Sequence, residues 1–348
     1  KIKIHIGKQL KPLNDEIELL LNKASDINLD AIYFRIHSLS STFIECLVEV
    51  EEVKKEVSSD IKTVYINEMT KLQFNYCDKI ESCHYDDLFK KDTPKGSTIK
   101  RVLQDVSNLK KNLPLTWGSS VFVRAYKDRV NCLKFIISGP DNTPYENGLF
   151  LFHAFFPSTY PEKEPKVILM TTGSGSVRFN PNLYNCGKVC LSLLGTWKGK
   201  EGESWNKEST FLQVLVSIQS LILVEQPYFN EPGWERQMNT KVGDEKSFRY
   251  NDMRRLKTVE FAINEQIENS LNKESEFNEI IQKHFLMKKD EIIKTVTKWA
   301  KESWKYKEEI NFQLGKFKSY VKVLESMNFM ESVKNDSADE ETVEKKEK

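Results

Sequence analysis

The chain has 348 residues, 39% hydrophobic and 30% charged, and its 52 Lys and Arg offset 51 Asp and Glu to a net charge of +1. That balance fits a globular chain long enough for two domains, or for one domain with large extensions, and excludes a nucleic-acid partner held by a basic surface. No apolar run reaches the ~20 residues of a membrane-spanning helix, so no membrane span is expected, and the opening Lys1-Ile-Lys-Ile-His-Ile is too short and charged for a secretory signal.

The first residue is not Met, and the sequence reads as a piece of a longer protein. Cysteines at 46, 77, 83, 132, 186 and 190 are too sparse for a disulfide framework and point to a reducing compartment, cytoplasmic or nuclear. There is no Cys-x-x-Cys pair and the five histidines are scattered, so no metal site is expected.

Residues 1–95 read as a flanking region without evident chemistry. Asn14–Ala24 is a candidate helix capped by Asn14, and alternation in Thr63-Val-Tyr-Ile-Asn predicts a short strand. Asp92-Thr-Pro-Lys-Gly-Ser97 reads as a linker into a central block, 96–250, where prolines and glycines concentrate and divide the chain into short elements. The block opens with a helix capped by Ser97, with Ile99, Val102, Leu103, Val106 and Leu109 at helical spacing. Lys100, Arg101, Lys110 and Lys111 leave it a basic exposed surface, on which Lys100 and Arg101 are candidate partner-binding residues. Strand-like runs follow at Ser120–Tyr126, Cys132–Ser138, Leu149–Phe156 and Lys166–Met170, and the short connections favour an antiparallel meander.

Thr171–Trp205 carries few periodic signals, and a structureless stretch of that length inside a compact domain is usually functional. A strong helix, Ser209–Val224, comes next, with Phe211, Val214, Leu215, Ile218, Leu221 and Ile222 on its buried side. Residues 251–328 read as a helical extension. Ile292, Val296, Trp299, Tyr306, Ile310, Leu314, Phe317, Val321 and Leu324 recur there near the helical period, a pattern that fits packing on the chain's own domain better than docking of a partner. The Glu- and Lys-rich tail, 329–348, has the composition of a disordered segment.

The chemistry concentrates in Phe179-Asn-Pro-Asn-Leu-Tyr-Asn-Cys-Gly-Lys-Val-Cys190-Leu-Ser-Leu-Leu, with Asn182 eight residues before Cys190. This run resembles the active-site stretch of ubiquitin-conjugating enzymes, in which a His-Pro-Asn element precedes the cysteine. Gly139-Pro-Asp-Asn-Thr-Pro-Tyr145 with Gly148, Phe156-Pro-Ser-Thr-Tyr-Pro161 with Pro165, Trp205 and the Phe211–Val224 helix follow the family's order. Ser176–Tyr184, Lys188–Trp197 and Pro227–Glu235 are similar to a large-type subgroup, which includes a member joining conjugating enzyme and ligase in one chain. The resemblance implies an α+β fold, with a four-stranded antiparallel meander, packed helices behind it and helical extensions at both ends.

It also implies an acyl transferase without a cofactor of its own. The partners would be ubiquitin or a ubiquitin-like modifier, its activating enzyme and protein substrates offering lysines. Cys190 would carry the modifier's carboxyl terminus as a thioester, since a thiolate is both nucleophile and leaving group. Asn182 could donate to the oxyanion that develops when a lysine attacks, a contact worth about 3 kcal/mol; it equally suits a loop-holding role, because Asn commonly stabilises turns. Glu231, in Asn230-Glu231-Pro232, resembles the family's acidic residue flanking the cysteine and could orient the lysine and take its proton; otherwise it is a solvated loop acid. Cys186 is either inert or a partner for a reversible bridge to Cys190.

The sequence departs from the family at three places. Asn180 replaces the usual histidine, as in the large-type subgroup. Glu162 stands where many members show an aromatic, and Asn-Lys-Glu follows Trp205. Pro161, Glu162, Pro165 and Trp205 therefore mark a ligase-docking face in which charge replaces an apolar anchor, which weakens ordinary ligase docking. The loop Gly195–Glu208 is longer than in minimal members and reads as a mobile insertion rather than a gate. Two rival functions stand against the enzyme. A non-catalytic ubiquitin-binding variant would lack the cysteine, and a cysteine hydrolase needs a histidine base, whereas none lies between His153 and His284.

Overall fold

The structure is a computed structural model that describes residues 61–80, 82–199 and 202–344, with side chains as far as Met327. The helix expected at Asn14–Ala24 lies outside these residues. The chain divides between Val64 and Tyr65, and the unit from Tyr65 onward holds the sheet described here.

A helix, α1, runs through 61–72, where alternation in 63–67 predicts a strand. Tyr65 and Met69 are fully buried and Leu72 is half-buried, a spacing of four and three that puts all three on one helical face. That longer period overrides five residues of alternation. Next come β1 (Phe74–Cys77), α2 (Asp86–Lys91), α3 (Gly96–Asn112), β2 (Val121–Tyr126), β3 (Cys132–Ser138), β4 (Leu149–Phe155) and β5 (Lys166–Leu169). The cap of α3 is Lys95 rather than Ser97, and Leu103 points to solvent while Thr98 and Asp105 take the buried places.

The sheet order is β1-β2-β3-β4-β5. The meander β2 to β5 is antiparallel as expected, but β1 joins its edge in parallel, with Phe74 opposite Val123. The result is a mixed five-stranded sheet. Gln73-Phe-Asn-Tyr-Cys gives no long periodic signal, and it becomes a strand because α1 delivers it to the open edge of β2.

Helices cover both faces of the sheet, not one. Every residue of β2 and β3 is buried, the signature of a strand enclosed on two sides. Val121, Val123, Phe135, Ile137, Phe150 and Phe152 face a first core, closed by Val102, Val106 and Leu109 of α3 and by Phe211, Val214 and Leu215 of α4 (Phe211–Ser217). Residues of opposite parity, Phe122 and Ile136, face a second core built from Tyr65, Met69 and the carboxy-terminal helices. A wider π-turn, Ile218–Ile222, extends α4, and there Leu221 is turned out to solvent although the spacing predicts it buried.

The carboxy-terminal helices are α5 (Lys241–Lys257), α6 (Glu265–Asn272), α7 (Asn278–Met287), α8 (Lys289–Glu302) and α9 (Lys307–Glu344). The apolar stripe from Ile292 to Leu324 splits between α8 and α9 and packs into the second core, so it serves this chain's own fold. α5 crosses the 250/251 position without a break. The backbone of α9 continues to Glu344, through a tract whose charge bias predicts disorder but which holds no proline or glycine to interrupt a helix. Gly148 allows this layer to close on the sheet, because a Cβ there would lie 2.9 Å from both Ala262 Cβ and Thr258 Cγ2.

Several charged groups on the second face are paired. Lys134 Nζ lies 2.8 Å from Glu276 Oε1, Arg124 donates to the carbonyls of Glu276 and Leu72, and the Tyr126 hydroxyl also bonds Glu276. Lys288 is 2% exposed, donates to Trp117 O at 2.7 Å, and sits 3.3 Å from Glu291, with Asp141 and Glu146 adding negative potential. His284 is buried between the Tyr65 hydroxyl (2.9 Å from Nδ1) and Asn147 O (3.2 Å from Nε2). Burial and the nearby Lys288 charge lower its pKa from 6.5 to about 3.

Because the unfolded chain binds this proton at higher pH than the folded one, His284 supports folding fully above pH 6.5. That support erodes by about 1.4 kcal/mol per pH unit on descending toward about 3. Denaturant midpoints between pH 7 and 4 should fall less steeply in His284→Gln than in the parent chain; parallel slopes would contradict the assignment.

Candidate active site

The stretch after β5 is irregular, as expected, apart from one 3-10 turn at Ser192–Leu194, and hydrogen bonds fix its path. Asn182 and Cys190 are bonded reciprocally: Cys190 N donates to Asn182 O at 2.8 Å, and Asn182 Nδ2 donates to Cys190 O at 2.9 Å. The eight-residue spacing is thus the span of a closed loop. At its tip Tyr184 N bonds Lys188 O and Gly187 N bonds Tyr184 O. Gly187 has φ +85° and a Cβ there would lie 2.5 Å from Leu169 O, so this turn needs glycine twice over.

Two residues that sequence reasoning left without a role hold the loop from below and beyond. Asn180 is fully buried. Its Nδ2 donates to Ile222 O (2.7 Å) and to the Tyr145 hydroxyl (3.2 Å), and its Oδ1 accepts from Asn182 N (2.8 Å). The residue that stands in place of the usual histidine therefore ties the cysteine loop to the end of α4. Thr196 Oγ1 donates to Val189 O at 2.7 Å and accepts from Leu191 N at 3.0 Å, bracketing Cys190. Neither role has a sequence signal beyond a polar residue near the motif.

Cys190 itself is 2% exposed. Around its thiol stand Tyr184, which is half-buried, Cys186 and Lys188, which are exposed, and Arg178. The thiol thus lies beneath side chains of its own surface loop. Burial raises its pKa above 9.0, opposed by the Lys188 charge, a hydrogen bond from Tyr184 and the Arg178 charge. Cys186 and Cys190 are both free thiols.

Glu231 follows a 3-10 turn at Pro227–Asn230. It is not a lone solvated acid: Arg178 Nη2 lies 3.3 Å from its Oε2 and also donates to Pro181 O at 2.7 Å, while the same guanidinium lies 4.3 Å from the centroid of the Tyr184 ring. Cys190, Tyr184, Arg178 and Glu231 form one connected group, with Asn182 in the same loop.

The expected partner-binding residues divide. Lys100 and Glu162 are exposed. Arg101 is occupied inside the fold: Nε bonds Asp105 at 3.0 Å, and its terminal nitrogens bond the carbonyls of Lys207 and Ser209. Asp105, 2% exposed, also accepts from the Tyr160 hydroxyl and from Phe211 N, which joins α3 to α4. Pro165 is buried, and Trp205 donates to Pro161 O at 2.8 Å and packs on Tyr160. Arg101, Pro165 and Trp205 are thus engaged within the fold, and Glu162 is exposed. A groove of about 500 Å³ opens beside it, lined among others by Lys163, Glu164, Lys166, Leu194 and Thr196.

Comparison with known proteins agrees with this geometry. Residues 101–258 match the family described as "Ubiquitin-conjugating enzyme". This segment belongs to the ubiquitin-conjugating enzyme family. The chain is 50% identical over 201 residues to the probable ubiquitin-conjugating enzyme protein 17 of Caenorhabditis elegans, covering 58% of this chain and 27% of that protein. It is 43% identical over 264 residues to the human dual E2 ubiquitin-conjugating enzyme/E3 ubiquitin-protein ligase BIRC6, covering 72% of this chain and 5% of that protein. A probable ubiquitin-conjugating enzyme of Acanthamoeba polyphaga mimivirus is 38% identical over 287 residues, 80% of this chain and 20% of the viral protein. The chain therefore spans well under a third of each of these three relatives. The wider matches extend beyond the conjugating segment and include part of its helical flanks.

The thiolate is the reactive form, so a pKa above 9.0 makes alkylation of Cys190 climb through pH 9 without levelling. With iodoacetamide and peptide mass spectrometry, exposed Cys186 should react first and Cys190 more slowly. Lys188→Ala should move the Cys190 curve to still higher pH. A Cys190 plateau near neutrality would refute the environment described.

Proposed function

We propose that this chain is the conjugating part of a ubiquitin-type transfer system: Cys190 accepts ubiquitin or a ubiquitin-like modifier from an activating enzyme and passes it to substrate lysines. The observation that carries the reading is the closed loop in which Asn182 grips the Cys190 backbone while Glu231 is held alongside through Arg178. The activating enzyme consumes the ATP, and the chain needs no cofactor of its own.

In the first step the Cys190 sulfur attacks the modifier's thioester carbonyl, and the activating enzyme's cysteine leaves. In the second, a neutral lysine amine attacks the new thioester, the C–S bond breaks, a C–N bond forms, and Cys190 leaves as thiolate. The amine loses a proton, and Glu231 is placed to receive it. Asn182 would serve the oxyanion by exchanging its bond to Cys190 O for one to the developing charge. Tyr184 has to swing from over the thiol to admit the modifier's tail. Ligase character in the same chain is supported by the human relative, a dual conjugating enzyme and ligase, and charged Glu162 supports substrate choice by the chain's own flanks or a dedicated partner. Free-thiol chemistry supports a reducing compartment, cytoplasm or nucleus, for this activity.

Incubation with activating enzyme, ATP and ubiquitin should give an adduct that survives non-reducing electrophoresis, disappears with thiol reductant, and is absent in Cys190→Ala. Asn182→Ala should still form it but discharge it to lysine on the order of a hundredfold more slowly. Failure of the parent chain to form the adduct with ubiquitin or any of its relatives would leave the non-catalytic adaptor in its place.

A further inference from the structure

Arg178 contacts both flanks of the cysteine. Its guanidinium has Glu231 on one side, Pro181 O on another and the Tyr184 ring across its face. Its Nε is buried and meets no hydrogen-bond partner among the described residues. A guanidinium free to optimise its hydrogen bonds would turn that donor to an acceptor. The stack on Tyr184 and the grip on Pro181 O keep it where it is, and Pro181 is the residue immediately before Asn182. Glu231 sits on an irregular segment between the Pro227–Asn230 turn and Trp234, and its carboxylate pairs with Arg178. Nearby, Arg254 lies over the Tyr250 ring at 3.8 Å, and Lys188 lies 5.9 Å from the centroid of the Tyr184 ring.

Resting on the reading of Cys190 as the thioester carrier, we propose that Arg178 is the positioning residue of the lysine-transfer step, fixing Glu231 and Tyr184 together beside Cys190. It touches neither modifier nor substrate. It sets the distance between the carboxylate that receives the amine proton and the sulfur that leaves, and it holds the aromatic face under which the lysine methylenes enter. As the lysine nitrogen closes on the carbonyl carbon, its proton moves to Glu231, the C–S electron pair returns to Cys190 sulfur, and Glu231 releases the proton to solvent. The Arg178 charge offsets the Glu231 carboxylate, which unpaired would favour the ammonium form of the incoming lysine.

The experiment uses the full chain charged with ubiquitin by activating enzyme and ATP. The enzyme is then quenched, and the preformed thioester is discharged in single turnover onto free lysine and, separately, onto hydroxylamine. Hydroxylamine is neutral at pH 7 and needs no carboxylate to take a proton before attack. In Arg178→Ala the ratio of lysine to hydroxylamine discharge should fall on the order of tenfold, and the pH profile for lysine should move to higher pH. Arg178→Lys should restore part of the ratio and of the profile, and Arg178→Ala combined with Glu231→Gln should be little worse than either alone. An unchanged ratio in Arg178→Ala, a faster lysine discharge, or strictly multiplicative losses in the double variant would each overturn the proposal. If Arg178→Ala forms no thioester, Arg178→Lys against the parent decides by the same ratio. Absence of any thioester on the parent chain would instead overturn the reading of Cys190 itself, and the two failures are read on different gels.

Discussion

The reciprocal pair of hydrogen bonds between Asn182 and Cys190 is the constraint on which the rest of the site depends. It closes an eight-residue loop with both ends at one point, so the cysteine is held by backbone geometry and not by a regular element. Everything else around it acts on that closed loop. Asn180 ties its near end to α4, Thr196 ties its far end, and Gly187 lets its tip approach β5. A loop fixed this way holds the Cys190 backbone through its own hydrogen bonds.

The scaffold beneath has a two-sided sheet. Conjugating residues on one face and the carboxy-terminal helices on the other are separated only by strands whose alternate side chains serve two cores. The extension is therefore part of the domain's stability and not an appendage. His284 and Lys288, both buried, are held by groups from α1, the 139–147 turn and the loop before β2, and each would be an uncompensated polar group without them. The chain's own helices cover the second face, whereas Cys186 and Lys188 of the cysteine loop and Glu162 are exposed.

Chemistry and packing meet at Arg178. Family resemblance marked Cys190, Asn182 and Glu231, but nothing linear connects Arg178 to residue 231. The ion pair, the ring stack and the bond to Pro181 O turn three separately named residues into one arrangement. The Cys190 thiol is 2% exposed and has Tyr184 as its side-chain hydrogen-bond partner, with the charges of Lys188 and Arg178 nearby.

The sequence by itself determined the α+β class, the four meander strands to within a residue or two, the irregular active-site stretch and the helical carboxy-terminal third. Period-two and period-3.6 apolar patterns are local properties, and the Cys190 motif is contiguous. It misplaced what local signals do not carry. The 63–67 alternation belongs to a helix, Leu103 and Leu221 are exposed, and Arg101 is internally bonded, because burial depends on which element arrives opposite. The parallel edge strand, the second core and the Arg178 link were decided only by tertiary structure, since each joins residues dozens of positions apart whose contact no spacing rule encodes.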